Sequence, residues 1–281
     1  MGVESTPAAS PSPSRAGRNL PAAIAVGVGL GALIIGSLYW QKALFVVVVL
    51  ATVLVAVDEM MKALRTGGAV IPRIPLFVGT AAMLVAAYFG GPMALLVALA
   101  GTVLGTLFWR MPGGSVGFVR DTSAGVFLIG YVPLLAGFAV LLVQPEADGP
   151  QRVTTFFLVT VASDVGGYAA GVLFGKHPMA PAISPKKSWE GFAGSALACI
   201  GAGIGSVVLL LDGNWWAGAI VGAVAVVTAT VGDLGESMIK RDLGIKDMSN
   251  LLPGHGGVMD RLDSLLATAP AVWLLLHLLV K

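Results

Sequence analysis

Between Ser237 and Asp263 the chain reads SMIKRDLGIKDMSNLLPGHGGVMDRLD, and Lys240, Arg241, Lys246, Asp247, His255, Asp260, Arg261 and Asp263 all stand within it. Charged residues make up only 11% of the whole sequence, so this concentration asks for a reason. In the overlapping stretch VGDLGESMIKRD, Asp233, Glu236, Ser237 and Lys240 follow i, i+3, i+4, i+7 spacing. On a helix they share one face. Two carboxylates, a hydroxyl and an ammonium on one face can hold a cation, a phosphate or both. A plain amphipathic helix end with a snorkelling lysine is the alternative. It leaves unexplained why Asp233 lies more than a turn deeper than the basic cluster.

The stretch PGHGGVMDRLDS adds Gly254, Gly256 and Gly257, which permit tight turns and close approach of backbone to an anion. Asp260 and Asp263 follow one turn apart, and either can equally cap a helix N-terminus. His255 suits a general base or a donor to phosphate, or is simply a histidine in a polar loop. Asp164, in VASDVGGYAAGVLFGK, is a carboxylate in the middle of an apolar run. It needs a cation, a metal or a proton, or it bonds a neighbouring helix as a neutral acid. The segment AISPKKSWEG brings Ser184, Lys186, Lys187, Ser188 and Glu190 together. That reads as a phosphate loop, or as a basic loop that only orients the chain in a membrane.

Carboxylates from several segments, facing cations in glycine-rich loops, suit one kind of chemistry. Hard oxygen ligands hold Mg²⁺ jointly with substrate phosphates. Cations beside them neutralise a transferring phosphoryl group. Soluble nucleotide motifs are missing. GVLFGKH (171–177) is one residue short of a Walker A loop and ends in His rather than Ser or Thr. The paired glycines near the start lie in an apolar run, not in a strand-to-helix turn. One Cys and three His make a zinc site improbable. No nucleic-acid partner is expected.

The elements that must position these residues are written in the composition. Hydrophobic residues are 56% of 281 and mean hydropathy is +0.88, well above a soluble domain. Apolar runs recur at 20–40, 43–58, 74–90, 92–109, 122–143, 153–175, 192–211, 215–239 and 262–280. The expected class is an all-α polytopic membrane protein with about nine transmembrane helices, since a helix satisfies its own backbone in lipid. Nine spans put 14 of the 17 Lys and Arg on one side, leaving Lys42, Arg152 and Lys281 on the other. The positive-inside rule makes the first side cytoplasmic, with the N-terminus inside and the C-terminus outside. Residues 1–19, rich in Ser, Pro and Ala, read as a disordered cytoplasmic tail, and 20–281 as one transmembrane catalytic domain. Trp215 and Trp216 suit an interfacial anchor, and Cys199 suits core packing. The pairs Gly101/Gly105, Gly201/Gly205 and Gly218/Gly222 have the small-xxx-small spacing that lets helices approach closely.

At its charged residues the sequence resembles the phosphatidate cytidylyltransferases, or CDP-diacylglycerol synthases. Their signature runs S-x-apolar-K-R, four residues, K-D, a small residue, and closes with H-G-G-x-x-D-R-x-D. Ser237, Lys240, Arg241, Lys246, Asp247, Ser249, His255, Gly256, Gly257, Asp260, Arg261 and Asp263 fill it without a gap. The stretch SDVGGYAAGVLFGKH…ISPKKSWEG is similar to a second family block, with Ser188 where Thr is common. Together they cover about the C-terminal half, and the first five spans match in hydropathy alone.

The resemblance implies transfer of a cytidylyl group from CTP to phosphatidic acid at the cytoplasmic face of the cell membrane, giving CDP-diacylglycerol and pyrophosphate. It implies Mg²⁺ on Asp233 and Asp260, with Asp164 as a third ligand, and a second cation nearby. Lys186, Lys187, Lys240, Arg241, Lys246 and Arg261 would hold phosphates, with Ser184, Gly256 and Gly257 beside them. Phosphatidate is already an anionic nucleophile, so His255 would orient rather than deprotonate. A homodimer is also implied. A CDP-alcohol phosphotransferase would need a D-G, A-R, G, D, D spacing that is absent here. A transporter would use Asp164 and Asp233 but would not need His-Gly-Gly or the two-lysine loop.

Overall fold

The computed structural model describes residues 20–144, 147–251 and 256–280, with the backbone alone over 20–28 and at Leu30. The expected tail at 1–19, Gly254, His255 and Lys281 lie outside the described residues. The helices are α1 (Leu20–Trp40), α2 (Lys42–Thr66), α3 (Arg73–Arg110), α4 (Phe118–Ile129), α5 (Leu135–Val143), α6 (Gly149–Phe174), α7 (Trp189–Leu211), α8 (Trp215–Asp242) and α9 (Met259–Leu279). Among the described residues, seven helical rods are long and apolar enough to cross a membrane. The chain is a multi-pass membrane protein. Every apolar run read from the sequence falls on helix.

Two helices are interrupted, each for a chemical reason. In α3 the sequence Gly90-Gly91-Pro92 breaks the ladder, with Gly91 at φ 69°, ψ −161°, a conformation open to glycine and costly for other residues. The arms on either side fold back on each other. Gly79 packs so closely on Thr102 that a Cβ there would collide with it, although residues that far apart on one straight helix would be separated by about 35 Å. Between α4 and α5, a π-helical turn at Gly130–Leu134 contains Pro133. Proline has no N–H to give the helix ladder, and the widened turn carries the rod past it without a break.

One departure from the all-α expectation is a small antiparallel hairpin between α6 and α7. Strand β1 (Pro178–Ala180) pairs with β2 (Ser184–Ser188), with Ala180 opposite Ser184 and Pro178 opposite Ser188. Ser188 then caps α7 by accepting the Gly191 N–H at 3.1 Å. Glu190 ties the hairpin base by accepting the N–H groups of Lys176 and His177 at 3.1 and 3.2 Å. Strands this short, with no alternating pattern, leave no periodic signal in a sequence.

The glycine spacing is borne out only in part. Gly218 and Gly222 pack against the α7 backbone at Gly203 and Cys199, so a side chain there would displace α8. Among the described residues, Gly101, Gly105, Gly201 and Gly205 meet nothing within 4 Å and mediate no helix contact. The other close approaches are Gly166 on Gly194 and Gly232 on the Asp263 carbonyl. They bring α6, α7, α8 and α9 into backbone contact, and the polar residues on these helices meet as a result. Cys199 is buried, its Sγ 3.2 Å from the Val159 carbonyl.

Arg152, grouped by sequence with the few outer cations, is buried. It donates to the carbonyls of Leu276 and Val280 at 2.9 and 3.0 Å and pairs with Asp148 at 2.8 Å, closing the C-terminal end of α9. In the first turn of α4, Asp121 is 1% exposed. It accepts from Arg110, Arg120 and the Val70 N–H at 2.9–3.0 Å, tying the loop after α2 and the end of α3 to α4.

Candidate active site

The site grows from the last turns of α8. The spacing read from the sequence does place Asp233, Glu236, Ser237 and Lys240 along one face, where Lys240 lies 3.2 Å from Glu236 and 2.8 Å from Asp260 of α9. Glu236 is 1% exposed, and the Lys240 ammonium stands against its Oε2. The Tyr131 hydroxyl, on the π-helical turn, is buried with no hydrogen-bond partner among the described residues and lies within the field of Glu236, Asp263 and Asp233. Asp263 in turn acts electrostatically on Asp164, across the contact between α6 and α9. Carboxylates from α6, α8 and α9 therefore face a common region.

The hairpin closes this region from the side. Lys187 on β2 lies 2.6 Å from Asp233 Oδ2. A cavity of about 300 Å³ opens there, with Asp164, Asp233, Ser184, Lys186 and Lys187 in its walls. Ser163, Ser195 and Ser264 add hydroxyl groups, and Tyr168, Phe192 and Met179 an apolar side. One wall can take phosphate while another takes lipid or a nucleoside.

Other candidate residues have different places. Asp260 does not line the cavity. Its Oδ2 accepts the N–H groups of Gly257 and Met248 at 2.8 and 3.0 Å, and its Oδ1 accepts from Lys240. Gly256, at φ +84°, and Gly257 thus bring backbone close to an anion, but that anion is the chain's own Asp260. Arg241 reaches the hairpin turn, 3.4 Å from the Ile183 carbonyl. Lys246 is exposed on the loop after α8. Arg261, at the start of α9, is exposed and acts on Asp164 electrostatically.

Glu59 is a residue that the sequence reading missed. It is 3% exposed on α2, yet it reaches the signature loop and accepts from Ser249 Oγ, Val258 N and Met259 N. The signal was present: an acid inside an apolar helix. The apolar run 43–58 stops one position short of it, whereas α2 continues to Thr66.

Among the described residues, no three of Asp, Glu, His and Cys are grouped tightly enough to hold a metal ion alone. Mg²⁺ is commonly held by one or two carboxylates with water and substrate phosphates. Asp233 and Asp164, both in the cavity wall, meet that more modest requirement.

The chain matches the Cytidylyltransferase family over residues 21–279. It is 47% identical to a phosphatidate cytidylyltransferase of Mycobacterium leprae over 284 residues, covering 94% of this chain and 90% of the relative. It is 46% identical to that of Mycobacterium bovis, covering 95% and 91%. The Pseudomonas aeruginosa phosphatidate cytidylyltransferase is 38% identical over 69% of this chain and 74% of its own length.

Proposed function

The chain belongs to the cytidylyltransferase family, and from that premise we infer that it is a phosphatidate cytidylyltransferase. It converts CTP and phosphatidic acid to CDP-diacylglycerol and pyrophosphate, a step of phospholipid biosynthesis. The observation that supports this best is the cavity between α6, α8 and the hairpin. It sets two lysines against two carboxylates beside an apolar side, matching a polyphosphate and a lipid that must meet.

A phosphatidate oxygen attacks the α-phosphorus of CTP, and the bond from that phosphorus to the bridging oxygen of pyrophosphate breaks. The nucleophile is already an anion, so the protein needs to position and neutralise rather than deprotonate. Lys186 and Lys187, with Ser184, hold CTP phosphates. Lys187 leaves Asp233 as they bind. Lys240, Arg241, Lys246 and Arg261 supply further positive charge, and His255 with Gly256 and Gly257 orients the signature loop. Asp233 and Asp260, with Asp164, would hold Mg²⁺, which would supply charge neutralisation to the triphosphate and the departing pyrophosphate. Asp260 can offer one oxygen to this task, because both lone pairs of its Oδ2 serve backbone N–H groups. A second cation nearby follows from the resemblance, as does a homodimer.

The site faces the cytoplasm, from which CTP arrives, and the chain crosses the cell membrane nine times. The support is the 14 to 3 division of Lys and Arg, together with the folded-back arms of α3, each about 27 Å long. The deciding experiment follows pyrophosphate release by purified protein in detergent with defined lipids. Release should require CTP, phosphatidate and Mg²⁺ together. Release with diacylglycerol in place of phosphatidate, or with no lipid, would overturn the assignment.

A further inference from the structure

We propose that Glu59 is a positioning residue for the reaction: from α2 it fixes the first turn of α9, which carries Asp260, and so sets the Lys240–Asp260 pair. The starting point is the N-terminus of α9. Its first amides have no partner within their own helix, and Val258, in the capping position, makes no side-chain cap. Glu59 supplies the cap from another helix. Its Oε1 accepts the Val258 N–H at 3.1 Å and its Oε2 the Met259 N–H at 2.8 Å. A carboxylate there also meets the positive end of the helix dipole.

The same carboxylate reaches the other side of the loop. Ser249 donates its hydroxyl to Glu59 Oε1 and accepts the Leu251 N–H at 3.1 Å. Asp260 makes the complementary clamp, accepting from Met248 and Gly257. The two acids thus alternate along the paired segments, at Met248 and Ser249 on one and at Gly257, Val258 and Met259 on the other. Gly257 lies between them, where a Cβ would stand 2.8 Å from Glu59 Oε2 and 3.0 Å from Asp260 Oδ2. The glycine and the small Ser249 of the signature are therefore what Glu59 requires at those positions. Glu59 does not line the cavity, so it acts through Asp260 and Lys240.

Only the activity arm of the test rests on the reading of the reaction given above. Glu59→Gln keeps the size, but its amide nitrogen must face either Ser249 or the α9 amides. The expected result is a fall in kcat of tenfold or more, the size of loss that small misplacements cause, with KM for CTP changed less than threefold. Amide hydrogen exchange at Val258 and Met259 should accelerate while the α6–α7 contact stays protected. Ser249→Ala should lose less, and the double variant should fall no further than Glu59→Gln, since both remove one network. Wild-type kcat per folded molecule in Glu59→Gln, or unchanged exchange at the α9 amides, would overturn the proposal. A wild-type protein inactive with CTP and phosphatidate would instead overturn the reaction, and the exchange result would still decide the role of Glu59.

Discussion

Asp260 shows how a single side chain can carry two duties. Its Oδ2 organises backbone and its Oδ1 meets Lys240. Asp260→Asn can keep its carbonyl oxygen on the Met248 and Gly257 amides while turning its NH₂ toward Lys240. Glu236, 3.2 Å away, still neutralises that lysine. The variant should fold, because Asn caps about as well as Asp. Its turnover should fall on the order of a hundredfold, with a higher Mg²⁺ demand, as an anionic ligand is lost. Steady-state kinetics across a Mg²⁺ series measure this, and near-wild-type turnover at limiting Mg²⁺ would exclude Asp260 as a ligand. For Lys187→Gln the expected effect falls on substrate. The Lys187–Asp233 pair is part-exposed and contributes at most about 1 kcal/mol to folding, so insertion and melting should hold. The KM for CTP should rise roughly tenfold, the worth of about 1.4 kcal/mol of lost phosphate binding. Unchanged kinetics in both Lys187→Gln and Lys186→Gln would leave that loop with only its role in topology.

Among the elements, the glycine stripes between α6, α7, α8 and α9 do more for the site than any loop. They let backbones touch, so short side chains such as Asp164, Ser195 and Asp233 reach one cavity. Spacing alone does not reveal which glycines act this way, since a small-xxx-small pair faces lipid or a neighbour depending on helix rotation. The structure separates them, and substitution should too. Gly222→Ala would place a Cβ 2.6 Å from Ile200 Cα, forcing α8 off α7 at a cost of about 1–3 kcal/mol. Gly105→Ala meets open space and should stabilise its helix by roughly 0.5–1 kcal/mol. Thermal unfolding in detergent should therefore shift in opposite directions for the two. A downward shift for both, of similar size, would mean that the Gly222 contact is not a tight one.

For the whole molecule, one end of the bundle collects the last turn of α8, the first turn of α9 and the hairpin. The C-terminal end of α9 is closed by Arg152, which holds its last carbonyls. A reporter fused after Lys281 should be active only outside the cytoplasm, and one fused in the Ser184–Lys187 hairpin only inside. Cytoplasmic activity of the C-terminal fusion would require an even number of crossings.

The sequence by itself determined the membrane class, the helical runs, the break at Gly90-Gly91-Pro92 and the charged signature. These are legible because each rests on local chemistry: hydropathy along a run, the dihedral freedom of glycine, the missing N–H of proline, charge stranded in apolar surroundings. It also put Asp233, Glu236, Ser237 and Lys240 on one face, a matter of helical period alone. Tertiary structure decided everything that depends on two distant segments meeting. Lys187 faces Asp233 because the 178–188 stretch pairs as a hairpin beside α8. Glu59 caps a helix that begins about 200 residues later in the chain. The pleated pairing is too short to leave a period in the sequence, and a carboxylate on one helix carries no mark of the amides it will meet on another.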